Sequence, residues 1–588
     1  MLLTYKFRQV LPIVFKSAIA MKKIYYLMLT VVICSGLNLN KSQAQSLPIG
    51  TPAIEDYYRR KQLLGELDST VSFTGRPLFP TEAFKVHNAF DPDSSMREDG
   101  WLKFDGPLSF ANGKGKFQVL PFSWQQQYNS HHPYGWNDGA MIPARGYQSL
   151  ITGGFFAKIG PLSIQLQPEF VYAANKSFDG FAVDRSDTEL RRYYGWHSNI
   201  DLPERFGNQA YSKLLWGQSS IRLTFGPASI GVSNENLWWG PGMRNSLLMS
   251  NTASGFKHIT LNTIRPIHTY IGSFEAQIIG GRLDASGLSP LEKQNAANGQ
   301  NLFVKKRNDW RYLSAFNISY QPKWVQGLFL GFTRSFNAYH SDLSGFKDYV
   351  PFFTPFQKVK TDDGDPFDRD QLTSLYARWI FTKAKAEVYF EYGINDNSYN
   401  FRDFIGSPDH SRAYLFGVRK LVPLKTRKDE FISINAEITQ MSQSTDRLVR
   451  EAGGWYMHGG VWDGHTNEGQ YLGAGIGTGG NLQSLDVSWV KGLKRLGLSV
   501  ERYEHNMDFY YSGIRDLNGQ SRRWVDFALA AQGEWNYGNL LFNAKLQGIR
   551  SMNYQWRLKD YDPTSDRYYI PHNGVFNFHG ELGVSYRF

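Results

Sequence analysis

Short runs that alternate apolar and polar residues with period two recur along this chain, and after the first 44 residues no apolar run approaches the roughly 18–20 residues a membrane helix needs. Phe155-Ala157-Ile159 leads into Gly160-Pro161, and Leu162-Ile164-Leu166 leaves it, with Ser163, Gln165, Gln167 and Glu169 on the opposite face. Ile221-Leu223-Phe225, Gly226-Pro227 and Ile230-Val232 repeat the pattern. A helical membrane protein is excluded. A membrane barrel is not, because its strands put lipid-facing and lumen-facing residues in turn and average out to polar. The mean hydropathy is indeed negative although 15% of the residues are aromatic.

The N-terminus reads as an export signal over residues 1–44. Met21-Lys22-Lys23 is a positive start, better than the one that residues 1–20 provide. Ile24 to Leu37 is apolar, and Ser42-Gln43-Ala44 is a small-x-small cleavage site before Gln45. Cys34 is the single cysteine, and Ile33 before it is too bulky for lipoprotein processing. It is expected to leave with the leader, and no disulfide with it. The leader carries six basic and no acidic residues, so the formal charge falls from +11 to +5. That is too weak a bias to argue for nucleic acid.

The last nine residues, GELGVSYRF, put Leu582, Val584, Tyr586 and Phe588 on one face, like a terminal strand of an outer-membrane barrel. Strands are expected near 117–128, 147–159, 162–173, 211–225, 228–236, 256–264, 269–280, 310–320 and 327–337. The rest fall near 371–382, 385–394, 412–421, 430–440, 484–491, 495–503, 523–534, 540–549 and 576–588. The predicted fold is an all-β membrane protein, an antiparallel outer-membrane barrel of about 18 strands. It spans 111–588, behind a 45–110 periplasmic segment that holds one short helix. Thr51 is the N-cap of that helix, Pro52 its first residue, and Ile54, Tyr57, Tyr58, Lys61, Leu64 and Leu67 follow at near-helical spacing. Short and long connections alternate, which puts both termini on the periplasmic side.

With the apolar faces toward lipid, Glu169, Arg222, Glu275, Glu387, Glu391, Glu437, Asp486 and Glu501 face the lumen. They would line a cation-selective pore or pair with lumenal Arg and an inserted plug, and the Trp and Tyr among them favour pairing. Three outer connections break the strand period: 128–147, 234–267 and 451–481. They are rich in Trp, Tyr, His, Asn, Asp and Gly. A sugar ring asks for an aromatic platform bordered by planar hydrogen-bonding groups. Trp238, Trp239, Trp136 and Trp455 are the candidate platforms. Asn234, Glu235, Asn137, Asp138, Arg244 and Asp463 are the candidate hydrogen-bonding groups, and His131 and His458 lie at the rim. The same composition suits loops folded inward to close the barrel, and composition does not separate the two.

Catalytic and metal motifs are weak. Gly473 to Gly480 is glycine-rich but lacks the Lys-Ser/Thr of a phosphate loop. His131-His132 and His458…His465 lack a third ligand at metal spacing. The acidic loop Asp362, Asp363, Asp365, Asp368 and Asp370 lacks the closing Glu of a calcium loop. Asp463 and Glu468 are a carboxylate pair of unknown separation. No cofactor, metal or enzyme activity is called for.

SNENLWWGPGMRNSLLMSN, QQYNSHHPYGWNDGAMIPARGYQ and LGAGIGTGGNLQSLDVSWVKGLKRLGLSVERYEHN together resemble the Wzi-type capsule assembly proteins. The similarity runs from Ser72-Phe73-Thr74-Gly75-Arg76-Pro77-Leu78 to the final strand, and Trp238-Trp239-Gly240-Pro241-Gly242 is its most specific part. The resemblance implies an eighteen-stranded, plugged outer-membrane barrel with a periplasmic helical element, which here reads as a single helix. It also implies a lectin-like role, binding capsular or exopolysaccharide at the cell surface. The expected partners are that polysaccharide and outer-membrane lipids, and a monomer is favoured. The rival functions are a sugar or oligosaccharide diffusion channel, and an outer-membrane enzyme that modifies glycans or lipids.

Overall fold

The computed structural model describes residues 45–97, 108–351, 369–395, 405–406, 410–425, 427, 429–443, 454–515, 523–557 and 574–588. The expected leader, with Cys34, lies outside them, as do all the aspartates of the acidic loop except Asp370.

Eighteen antiparallel staves close into one barrel. The first, Gly115–Asn129, pairs with the last, Gly574–Tyr586, in a register that runs from Tyr586 opposite Phe122 to His579 opposite Asn129. This pairing removes both free sheet edges. The period-two pattern sets the facing. Ile221, Leu223, Ile230, Val232, Leu496, Leu498 and Val500 point outward and are exposed, while Arg222, Glu387, Glu391, Glu437 and Glu501 are buried inward. Outside, an apolar band meets lipid. Tyr270, Trp324, Trp379, Trp535 and Tyr537 are exposed beside the short turns, where an aromatic girdle sits at the membrane interface.

Gly160 and Gly226 turn two periplasmic hairpins at φ of 56° and 58°, a left-handed backbone that glycine adopts without steric cost. Prolines mark the departures from regular strands. The first stave bulges between Leu120 and Ser123, at Pro121. The stretch expected as one strand over 162–173 is split into Leu162–Leu166 and Glu169–Ala173 by Pro168, which has no N–H for the ladder. The expected 211–225 strand is split likewise, into Tyr211–Leu215 and Ser220–Phe225, around Trp216 to Ser219. The expected 228–236 strand stops at Ser233, where the chain leaves the wall and turns inward.

The N-terminal helix, Pro52–Leu63, has Thr51 at its cap and proline in its first turn. It buries Ile54, Tyr57, Tyr58 and Leu63, and two arginines with them. Its apolar side joins Phe73, Phe90, Leu120, Phe156 and Leu493 in one cluster, which places the helix inside the periplasmic mouth. Arg59 reaches Glu387 on the wall at 2.8 Å, and Asp56 receives Arg419 at 2.5 Å.

Candidate functional site

The connection after Ser233 does not cap the barrel from outside. It descends into the lumen, and its polar residues bind the wall. Glu235 takes the Arg222 guanidinium at 2.5 Å and accepts from Ser233 and Ser46. The Asn234 amide holds the carbonyls of Gly217 and Gly255. Trp238 and Trp239 form a two-residue ladder with Arg76 and Gly75 of the N-terminal segment. The Trp239 indole N–H donates to Gln277 at 2.8 Å, and the Arg76 guanidinium lies 4.4 Å from the Trp238 ring.

Gly240-Pro241-Gly242 then bends the chain so that three successive N–H groups, of Met243, Arg244 and Asn245, point at the Glu437 carboxylate at 2.7, 3.0 and 2.8 Å. Consecutive backbone N–H groups around one anion make a nest, and here the anion belongs to the wall. The Tyr389 hydroxyl donates to the same carboxylate at 2.9 Å. Gly240 has φ of 125°, and a Cβ there would lie 2.7 Å from Glu391 Oε2. The motif that stands out most in the sequence is therefore the fastening of an internal plug.

Two further outer connections lean onto this plug. In the first, Trp136 lies under the Arg244 guanidinium at 4.0 Å, and the Asn137 amide donates to the Arg244 carbonyl. Asp138 accepts from Gln127 at 2.9 Å. In the second, the Tyr456 hydroxyl donates to the Leu247 carbonyl, and Trp455 donates to the Ser411 carbonyl. The glycine-rich run packs here because it lacks side chains: a Cβ on Gly475 would lie 2.3 Å from Trp136.

These placements correct the reading of the tryptophans as exposed platforms. Trp239 and Trp455 are fully buried, Trp238 is 3% exposed and Trp136 8%. The cause is the interior demand for large rings and paired hydrogen bonds, which a plug satisfies as well as a sugar site does. Asn234 and Glu235 are likewise occupied within the plug. His131 donates its backbone N–H to Asn577, and its ring meets Tyr554 edge-on. His458 accepts from the N–H groups of Gly460 and Val461. Among the described residues, no group of three or more His, Cys, Asp or Glu is placed to hold a metal. Glu468 pairs with Lys213, and Asp463 accepts from Tyr339, so the two carboxylates have separate partners.

Cavities remain among the described residues. An inner one of about 480 Å³ runs between plug and wall from Pro48 and Arg587 to Trp136, Asn137, Asp138 and Arg244. An outer one of about 430 Å³ lies among three extracellular connections, lined by Asp201, by Arg282 to Trp310 in part, and by Asp463. Only Asp463 of this second set was singled out from sequence. The overlooked signal is Lys305-Lys306-Arg307, a basic run ending in Asn308-Asp309-Trp310 at the entrance to a strand.

A closed barrel with short periplasmic turns, an apolar outer band and a lumen packed by its own loops defines a plugged outer-membrane β-barrel. The family model described as capsule assembly protein Wzi matches residues 144–544. The chain belongs to the Wzi capsule assembly family and resides in the outer membrane. Among solved structures, it is similar to Wzi of Escherichia coli, an outer-membrane protein involved in group 1 capsule assembly and described as a carbohydrate-binding β-barrel. That match has 12% identity and a TM-score of 0.56, and it covers 93% of this chain and 100% of that one. OccK7 (OpdD) of Pseudomonas aeruginosa follows at 11% identity and a TM-score of 0.37, over 82% of this chain and 99% of its own. OccAB2 of Acinetobacter baumannii has 9% identity and a TM-score of 0.37, over 80% and 98%. No curated protein matches by sequence.

Proposed function

We propose that this protein binds capsular or exopolysaccharide at the outer face of the membrane and helps to assemble and hold it there, as a lectin rather than as a pore or an enzyme. The observation that carries this reading is the outer pocket, formed by three extracellular connections above a lumen filled by the plug. Membership of a capsule assembly family supports it, as does the carbohydrate binding described for the Escherichia coli barrel. Against a diffusion channel stand the contacts of Glu387, Glu437 and Glu501 with Arg59 and the 243–245 turn. They engage three of the lumenal carboxylates that a cation pathway would use. Of the residues chosen from sequence, Asp463 lines this pocket. Trp136, Asn137, Asp138 and Arg244 border the inner cavity and serve the surface site by keeping the plug in place.

Purified barrel mixed with surface polysaccharide from cells that make it is expected to bind, measured by calorimetry, and to give no stable conductance in planar bilayers. A persistent open pore with no polysaccharide binding would make the protein a channel.

A further inference from the structure

The outer pocket holds two buried polar atoms that are paired by charge alone and make no hydrogen bond. Lys306 Nζ is buried, its side chain only 10% exposed, and makes no hydrogen bond. Asp463, at 0% exposure, accepts the Tyr339 hydroxyl at Oδ2 (2.8 Å), which Arg311 Nε also faces at 4.0 Å, while its Oδ1 accepts no hydrogen bond. Lys306 Nζ and Asp463 Oδ1 face each other at 4.0 Å, beyond hydrogen-bond range. Buried donors and acceptors are almost always satisfied, by protein, by water or by a ligand. An ammonium and a carboxylate left this way ask for a group that both accepts and donates.

The neighbouring acids are spent elsewhere. Asp201 accepts from the backbone N–H and hydroxyl of Ser286, Asp309 accepts from Ser341, and Asp284 pairs with Arg282. The base of the pocket therefore presents a buried ammonium without a hydrogen bond beside a carboxylate oxygen without one, while Lys305, which also lines the pocket, is exposed. A carboxylated sugar placed there would satisfy Lys306 and be repelled by Asp463. A hydroxyl satisfies both, accepting from the ammonium and donating to the carboxylate. Trp310, whose ring stacks on His340 at 4.1 Å, forms part of the wall.

We propose that this pocket seats a neutral sugar unit of the polysaccharide, with vicinal hydroxyls bridging Lys306 Nζ and Asp463 Oδ1. This rests on the polysaccharide-binding reading above. It places the neutral units of the glycan, rather than its uronates, in the protein's grip.

The test compares three forms of surface polysaccharide from cells that make the protein: native, carboxyl-reduced and periodate-oxidised. Carboxyl reduction turns uronates into neutral hexoses, and periodate cleaves vicinal diols. The full-length barrel is expected to bind the native and carboxyl-reduced forms alike and to lose the oxidised one. Lys306→Met, which keeps the apolar stem, is expected to weaken binding about tenfold or more, the loss of one hydrogen bond to a charged group. Heat-modifiable gel mobility reports whether that variant is folded, and the three polysaccharide forms test the idea without any variant. Binding lost on carboxyl reduction, binding kept after oxidation, or a folded Lys306→Met that binds like the parent would each overturn the neutral-diol site while leaving polysaccharide binding intact. A parent barrel that binds none of the three would overturn the polysaccharide reading itself.

Discussion

Arg244 of the plug grips Glu501 of the wall through two nitrogens, Nε at 2.7 Å and Nη2 at 3.1 Å, while its guanidinium plane rests on Trp136. A forked pair of this kind fixes orientation as well as charge. It ties three parts of the sequence far apart in the chain, and it turns a loop residue suited to a ligand into a structural clamp.

Arg244→Ala should leave the Glu501 carboxylate largely buried without its partner. The expected cost is about 2–4 kcal/mol, toward the lower part of the range for such pairs because the Arg244 side chain keeps 22% exposure. The midpoint of the heat-modifiable mobility shift should fall. Glu501→Gln in the same chain should restore part of it, and an unchanged midpoint in the single variant would show that the clamp contributes nothing.

Glu437→Ala should loosen the plug more than any single plug substitution. Three backbone N–H groups and the Tyr389 hydroxyl lose their acceptor together, at about 1–3 kcal/mol for each donor left buried and unmet. Single-channel recording should then show intermittent openings that are missing from the parent protein.

Gly240→Ala should impair folding although it adds one methyl group. The residue sits at φ of 125°, and the new Cβ would come within 2.7 Å of Glu391 Oε2 and 3.1 Å of Ser246 Oγ. A left-handed backbone alone costs about 1–3 kcal/mol in a residue with a side chain. The yield of folded barrel on refolding into detergent measures the effect, and a normal yield would mean that the turn has slack.

Polysaccharide affinity should depend on pH through Lys306, which faces Asp201, Asp463 and Arg311. Burial holds its pKa down to about 8, against an ordinary 10.5, and the two aspartates only partly offset this. A hydroxyl that accepts from the ammonium requires the protonated form. Affinity should therefore be level below neutrality and decline as the pH rises past about 8, and Lys306→Met should remove that slope. In the unliganded barrel the sign is opposite. The folded state disfavours the charged amine, so a destabilisation present below about 8 fades as the pH climbs toward 10.5. Calorimetric titrations across this range read the first effect, and thermal midpoints read the second.

Period-two alternation determined the barrel. Ile221, Leu223, Ile230 and Val232 face outward, and Arg222 and Glu437 inward, because a strand leaves each side chain no other choice. Proline placed the irregularities, at Pro121 and Pro168. The Trp-Trp-Gly-Pro-Gly stretch was also legible as a special place, but which place was decided in three dimensions. Large rings and planar amides suit a buried plug and a sugar platform equally, since both demand packed aromatic surface with matched hydrogen bonds. Wall groups brought around the lumen by closure of the barrel, among them Arg222, Gln277, Glu437 and Glu501, made the inward route favourable. The outer pocket is a tertiary product too: Asp201, Lys306 and Asp463 come from three connections, and nothing along the chain announces that a buried ammonium without a hydrogen bond will face a carboxylate oxygen without one at 4.0 Å.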